Sequence, residues 1–442
     1  MSSRSQAAAR YLADYDSIAV QLPGRSLAWL QELRSRALSR FSADGFPSPR
    51  EEEWKYTNVA PIERALFRPQ WSASGPVDAD LLNRYRLADA FTLVFVDGRF
   101  DAGSSNLSAL PEGVVIAPLC EALERHPELV RSRFGRCLEQ EGHGFIAFNT
   151  AMFSDGALIV LPAGTVLEKP VQLLHFATRP ESLCTVRHLI VAETGSKGEI
   201  VECFVGRDDL SYLTASVCEV AVEDNAAVTM HKLQAEGTRA FHFGGVYVDQ
   251  ARNGRFAHHN GSFGGLLVRN EIHARLGQAA ECELNGLFLG SGRQHVDNHT
   301  RVDHLEPNGI SREVYKGILD ERARGVFQGR MIVHQDAQKT DSNMTNRNLL
   351  LSVNAEIDTK PQLEIYADDV KCGHGVTVGQ LAEESVFYLR SRGIDEPSAR
   401  NILTFAFANE MVEKIEYESL RSLVLEELIS RLPQASAIKE WL

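Results

Sequence analysis

Leu189-Ile190-Val191-Ala192, closed by Thr194-Gly195, is an apolar run of four followed at once by a small-residue turn. Leu158-Ile159-Val160-Leu161 and Met331-Ile332-Val333 repeat this pattern. Further turn signals recur at Asp224-Asn225-Ala226, Asn253-Gly254, Gly277-Gln278-Ala279 and Ala323-Arg324-Gly325. Runs this short, bounded by turn residues, read as strands, and helical periods are missing from about Ala157 to Val378. A short strand cannot bury its apolar side alone. Over roughly two hundred residues the pattern therefore predicts a stack in which each rung covers the next, a parallel β-helix. A β-sandwich or a cupin-like barrel is the other architecture it allows.

The flanks differ in character. From Ser5 to Phe41 the period is helical, with Trp29, Leu33, Ala37 and Phe41 at every fourth position and Gly24 separating two helices. Gly45 to Thr57 breaks this with Pro47 and Pro49, and Trp54 and Tyr56 are expected to pin the connection to the body. Asp97-Gly98 inside an apolar run signals a hairpin, and Leu119 to His126 reads as a helix. After Gln380 the helical period returns. Gly393 caps one helix and Asp395 with Pro397 starts the next, in which Leu403, Phe407, Met411 and Ile415 form one row and Phe405, Ala408 and Val412 a second. A last helix carries Leu420, Val424, Leu428 and Leu432. That much apolar surface serves either internal packing or a partner-docking face. The expected organisation is a mixed region over residues 1–150, a β-helix core over 151–380 and a helical domain over 381–442.

A net charge of −13 and the lack of a basic stripe argue against nucleic-acid binding, which needs clustered Lys and Arg on the phosphates. Seven scattered cysteines without a Cys-x-x-Cys pair predict free thiols in a reducing compartment. Met1 to Val20 mixes charges of both signs with no long apolar run, so neither a secretory signal nor a membrane span is expected and the protein reads as cytoplasmic.

The cysteine–histidine pair at ligand-like spacing lies in Lys371-Cys372-Gly373-His374-Gly375. Two residues apart on an extended strand, Cys372 and His374 project from one face, a soft thiolate beside an imidazole. Such a pair suits a thiophilic metal or an iron–sulfur cluster, although two ligands cannot close a four-ligand site and the others must come from elsewhere. A thiol beside a hydrogen-bonded histidine on a turn is the structural alternative. His295, Asp297, His299, Asp303 and His304 match no metalloenzyme spacing and read as polar turns between strands, as do His258-His259-Asn260-Gly261. Cys203, Cys218 and Cys282 lie in apolar runs and read as inert core thiols. There is no Gly-x-x-x-x-Gly-Lys-Ser/Thr phosphate loop, so any nucleotide hydrolysis falls to another subunit.

Glu52-Glu53-Trp54-Lys55-Tyr56-Thr57 and the run from Val314-Tyr315-Lys316-Gly317 through Val326-Phe327-Gln328-Gly329, Asp341-Ser342-Asn343, Pro361-Gln362-Leu363-Glu364-Ile365 and Asp369-Val370-Lys371-Cys372-Gly373-His374-Gly375 to Tyr388-Leu389-Arg390-Ser391-Arg392-Gly393-Ile394 resemble the SufB/SufD family of the SUF iron–sulfur cluster assembly machinery. The Trp-Lys-Tyr-Thr segment, the Lys-Cys-Gly-His-Gly sequence and the absence of any cysteine before Cys120 favour its SufD branch. The resemblance implies a right-handed parallel β-helix between N- and C-terminal helical regions, in a complex of SufB, SufD and two copies of the SufC ATPase. It implies that His374, supported by Cys372, faces SufB and helps hold a transient cluster. It also implies that the C-terminal helices dock the ATPase, for which Arg392, Gly393, Ile394, Phe405, Phe407 and Met411 are the candidate residues. The family complex is associated with reduced flavin (FAD), for which no site is legible here. Two other functions are weighed: a stand-alone homodimeric metallochaperone using Cys372 and His374 from each copy, and a carbohydrate-active β-helix enzyme relying on Asp297, Asp303 and Glu306.

Overall fold

The computed structural model describes residues 3–71, 77–138 and 142–432. Sixteen consecutive strands, β4 (Ala157–Leu161) to β19 (Lys371–Gly379), alternate between two sheets, odd-numbered in one and even-numbered in the other. Each pairs in parallel with the strand two places along, so identical faces stack from coil to coil, which is the expected β-helix. Ile190, Val220, Val248, Ala274, Val302 and Met331 form one such inner column, all buried. Each member covers its neighbour at about 25 cal/mol per Å² of apolar surface removed from water.

The turns stack as well. Gly195, Asn225, Asn253, Ala279, Asn308 and Lys339 occupy equivalent corners, all with φ between 53° and 70°. Each donates its N–H to a carbonyl one coil further on, for example Asn225 to Arg252 at 2.9 Å and Asn253 to Gln278 at 2.8 Å. This left-handed backbone region is where Gly and Asn are least penalised, which is why these turn signals were legible; the turn expected at Ala323-Arg324-Gly325 falls instead at Glu321 (φ 53°), and Arg324 and Gly325 open the next strand, Arg324–Val333.

The N-terminal part has three helices where two were expected: α1 (Ser3–Leu12), α2 (Tyr15–Ala19) and α3 (Ala28–Asp44). The extra break falls at Asp14, the N-cap of α2, and Gly24 (φ 68°) makes the second. Beyond α4 (Ala60–Arg64) and α5 (Ala79–Tyr85), β1 (Phe91–Val96) turns at Asp97-Gly98 into β2 (Arg99–Phe100), the expected hairpin. Strand β1 extends the odd sheet beside β5 (Val171–Ala177), and β3 (Val115–Pro118) extends the even sheet beside β4. Helices α6 (Leu119–Arg125), α7 (Pro127–Arg133) and α8 (Gly144–Met152) follow. Helix α8 packs on the outer face of the even sheet, whose Leu213, Val217 and Phe243 share a core with Phe145 and Phe148.

The residues His295 to His304 are not polar turns. They form strand β14, and His258 to Gly261 lie within β11 (Arg255–Ser262). Outward residues of β14 are covered by the connection carrying Trp54, and this hidden ionic surface is what sequence alternation cannot show. The Arg269 guanidinium lies 3.7 Å from the Trp54 ring centre, is held by Glu271 and Asp297, each at 2.6 Å, and donates to the Glu53 carbonyl at 3.0 Å. Phe145 stacks on Trp54 at 5.5 Å. His299 sits 3.1 Å from Asp297, Thr57 donates to Asp297, and Gln328 donates to Glu53 at 2.6 Å. Glu52 pairs with Lys360 on β18 (Glu356–Ile365), so the connection reaches the last coils. Trp54 is thus pinned as expected, and Tyr56 is half-buried.

The chain returns through α9 (Glu383–Ser391), α10 (Glu396–Val412) and α11 (Glu418–Arg431), of which α10 and α11 lie on the outer face of the odd sheet. Buried Glu427 accepts from Tyr85 at 2.6 Å and Arg84 at 2.5 Å and pairs with Arg431 at 3.5 Å, so the last helix is clipped to α5. Among the described residues no helix is long and apolar enough to cross a membrane.

Trp54→Ala is expected to destabilise the chain by roughly 3 kcal/mol or more, and Tyr56→Ala by less, measured by urea unfolding with the β signal in circular dichroism retained in the folded baseline. Equal losses would refute the assignment of the anchor to Trp54.

The same network carries a pH dependence. Burial and Arg269 push the His299 pKa down, but Asp297 and Glu53 more than offset them and leave it raised, so protonated His299 stabilises the docked connection. That contribution is complete below the ordinary imidazole value of about 6.5 and is lost as pH rises through the raised value. Burial alone would raise Asp297, but His299 and Arg269 outweigh it; a hydrogen bond to His299 dominates at Glu53; both carboxyls are lowered, so their contribution fails only as pH falls below about 4. Hydrogen exchange over residues 46–57, corrected for intrinsic rate, should accelerate between pH 6 and pH 9, and His299→Gln should flatten that rise.

Candidate functional site: the open coil and the helical corner

Among the described residues strand β19 ends the odd sheet and pairs with β17 (Asp341–Leu350), placing Cys372 beside Ser342 and His374 beside Met344. In-register stacking therefore continues the inner columns: Ser342, Met344, Asn346 and Asn348 are followed by Cys372, His374, Val376 and Val378. The first four are at most 4% exposed, whereas Val376 and Val378 are 36% and 47% exposed. Among the described residues no further coil covers them. Cys372 and His374 thus share one face, as the two-residue spacing requires, and that face is the uncapped end of the β-helix interior. Gly373 and Gly375 alternate onto the outer side, where a side chain at Gly375 would meet nothing within 4 Å. Burial, then Asp341, raise the Cys372 pKa, with only the Ser342 backbone pulling the other way, so the thiol is protonated in the isolated chain. The imidazole of His374 is exposed and the Cys372 thiol, two residues away on the same face, is half-buried.

Cys203, Cys218 and Cys282 are buried within strands, as expected. Burial pushes Cys203 up to about 12 and Cys218 well above the ordinary thiol range, which makes both inert.

The helical corner is assembled as its sequence signals require. Gly393 (φ 90°) caps α9 with its N–H on the Arg390 carbonyl at 3.0 Å, and the Asp395 side chain accepts from the Ser398 N–H at 3.1 Å to start α10. Arg392 is exposed and Ile394 half-buried at the turn, and Phe405 and Phe407 are half-buried. Met411 is different. It is 6% exposed and points with Val412 and Ile415 into the odd-sheet wall, against Leu233 and Leu287. Sequence reasoning passed over Phe387 and Tyr388 on α9, which are 71% and 56% exposed. Arg392 lies 5.1 Å from the Tyr388 ring and donates to its hydroxyl at 3.1 Å. In α9 only Val386 is buried, so the neighbouring Phe-Tyr pair has no inner face to occupy, a fact the sequence does not show.

Two expectations find no support in the geometry. Asp297 and Asp303 are 0% and 5% exposed and paired with Arg269 and Arg301, and Glu306 accepts a turn N–H from Gln278, so they form no carboxylate pair in a groove. In the cleft of about 320 Å³ beside Trp54, Arg269 and Phe145 already cover the indole, leaving no aromatic face to stack a flavin. The residues present do not fit FAD there.

A two-sheet parallel β-helix flanked by N- and C-terminal helices defines the architectural class, and sequence comparison gives the family. Residues 175–407 match the family described as SUF system FeS cluster assembly, SufBD core domain, and residues 5–173 match the SufBD protein N-terminal region. An iron–sulfur cluster assembly SufBD family protein of Synechocystis is 32% identical over 393 residues, covering 85% of each chain. The iron–sulfur cluster assembly protein SufD of Escherichia coli is 31% identical over 402 residues, 90% of this chain and 92% of its own. SufD of Bacillus subtilis is 24% identical over 411 residues, 89% and 92%. The chain belongs to the SufBD family, and its role is in iron–sulfur cluster assembly.

Proposed function

We propose that this chain is a non-catalytic SufD-type subunit that closes its open coil against a SufB-type partner, holds a transient iron–sulfur cluster at the seam, and docks a SufC-type ATPase on the α9–α10 corner. The observation that carries this is the inner column ending uncovered in Cys372, His374, Val376 and Val378. Exposed valines beside unpaired strand edges favour a partner that continues both sheets and supplies the missing ligands. The cluster is cargo. His374 is the ligand from this side, because neutral imidazole binds iron but gives a more labile, higher-potential site than thiolate, which suits a cluster that must be passed on. Cys372, two residues away on the same face and half-buried beside Ser342, plays the supporting part. The lack of a Gly-x-x-x-x-Gly-Lys-Ser/Thr sequence supports placing ATP hydrolysis in the docked subunit.

His374→Ala should leave the complex with its partners intact while iron–sulfur absorbance after anaerobic reconstitution falls at least tenfold, and Cys372→Ala should fall less. A His374→Ala complex that delivers clusters at the wild-type rate would refute the ligand role. On its own the chain should pair with a second copy through the same edge, so Val376→Lys should abolish both the homodimer in sedimentation and capture of the SufB-type partner. Survival of either assembly would place its interface elsewhere.

Replacing Phe387 and Tyr388 together with Asp should abolish copurification of the ATPase subunit without altering the β signal in circular dichroism. Unchanged copurification would remove the helical corner from the docking surface.

A further inference from the structure

Lys316 is 1% exposed and lies on the outer face of β15 (Ile310–Leu319), in register with Leu287 and Arg347. Its ammonium donates to the Phe407 backbone carbonyl at 2.8 Å, pairs with Glu410, and sits 4.5 Å over the Phe407 ring. Both acceptors and the ring belong to α10. The remaining contact of this helix with the sheet is apolar, through Ala408, Met411 and Val412, and apolar packing tolerates rotation and sliding. A buried ammonium does not, because any shift that parts it from its acceptors leaves an unpaired charge away from water. Just beyond the end of α10, Lys414 pairs with Glu283 at 3.1 Å, but both groups are partly exposed and the pair is screened.

We propose that Lys316 is the positioning residue that fixes the rotation of α10 on the β-helix and so sets how this helix meets the ATPase subunit. The inference rests on the docking reading above and divides its two aromatics. Phe407 is the internal anchor beneath the ammonium, and Phe405, one half-turn away and half-buried against the same core, is the residue assigned to the partner.

The test uses the full chain and the purified ATPase subunit, with affinity measured by calorimetry. Phe405→Ala should weaken binding about tenfold. Lys316→Met, which keeps the stem and removes the charge, should weaken it to a similar degree with a melting temperature close to wild type, and combining the two should be markedly less than additive, because a mis-set helix no longer presents position 405. Glu410→Gln, which keeps an acceptor, should bind like wild type. If Phe405→Ala weakens binding and Lys316→Met does not, the positioning role is overturned and the docking reading stands. If Phe405→Ala has no effect, α10 is not a docking helix and the proposal falls with that reading. Should Lys316→Met fail to fold, Glu410→Ala replaces it: its side chain is 62% exposed, so the fold does not depend on it, and unchanged binding then overturns the proposal.

Discussion

In-register stacking of identical faces is the constraint from which the rest of this structure follows. A coil of two short strands has an inner face it cannot bury, so stability comes from the neighbour above and below, and the pattern Ile190 to Met331 simply repeats this coverage. A stack built this way is satisfied everywhere except at its ends. At the first end the problem is solved internally: β1 and β3 extend the sheets. At the other it is left open, and the open end is where the thiol and the imidazole sit. The unfinished surface is a property of the architecture before it is a property of the ligands.

The second organising feature is charge taken out of water and then fully used. Arg269 is 2% exposed, yet its donors reach two carboxylates and a backbone carbonyl while its face covers an indole. A desolvated ion contributes little net stability when exchanged for apolar packing, but breaking its partners apart is costly, so such a cluster specifies one arrangement. Here it fixes where the Glu52-to-Thr57 segment lies. Through Gln328 and Lys360 that segment braces the even sheet up to its final strand from outside, while the odd sheet is braced by α10 through Lys316.

Much of this was legible in the residues. The apolar quartets with their Asn and Gly corners gave the β-helix because corners with positive φ admit few residue types. Asp97-Gly98 gave the hairpin, Gly393 and Asp395 the helix boundary, and the two-residue spacing placed Cys372 and His374 on one face. What failed did so for a common reason. His295 to His304 lies in a strand covered on both sides, inward by the core and outward by the Trp54 connection, so the polar outward positions mimic a turn. Met411 and Phe407 fall in one helical row, yet one is sealed against the wall and the other lies under an ammonium from β15. Periodicity reports which residues share a face, but not whether that face is covered, and by the same limit Phe387 and Tyr388 went unnoticed.

The clip at Glu427 changes how such a molecule comes apart. A linear solenoid can fray coil by coil from its ends, because each coil touches only its neighbours. In this chain α11 runs back along the odd sheet and is tied by Glu427 to Arg84 and Tyr85 of α5, so the last helix is fastened to a helix that precedes the first coil. The stack is thereby closed into a loop of contacts. Losing the terminal coil no longer releases its neighbour alone but strains a strap that spans the whole array, which converts a zipper into a single cooperative unit and lets the open end stay exposed without unravelling.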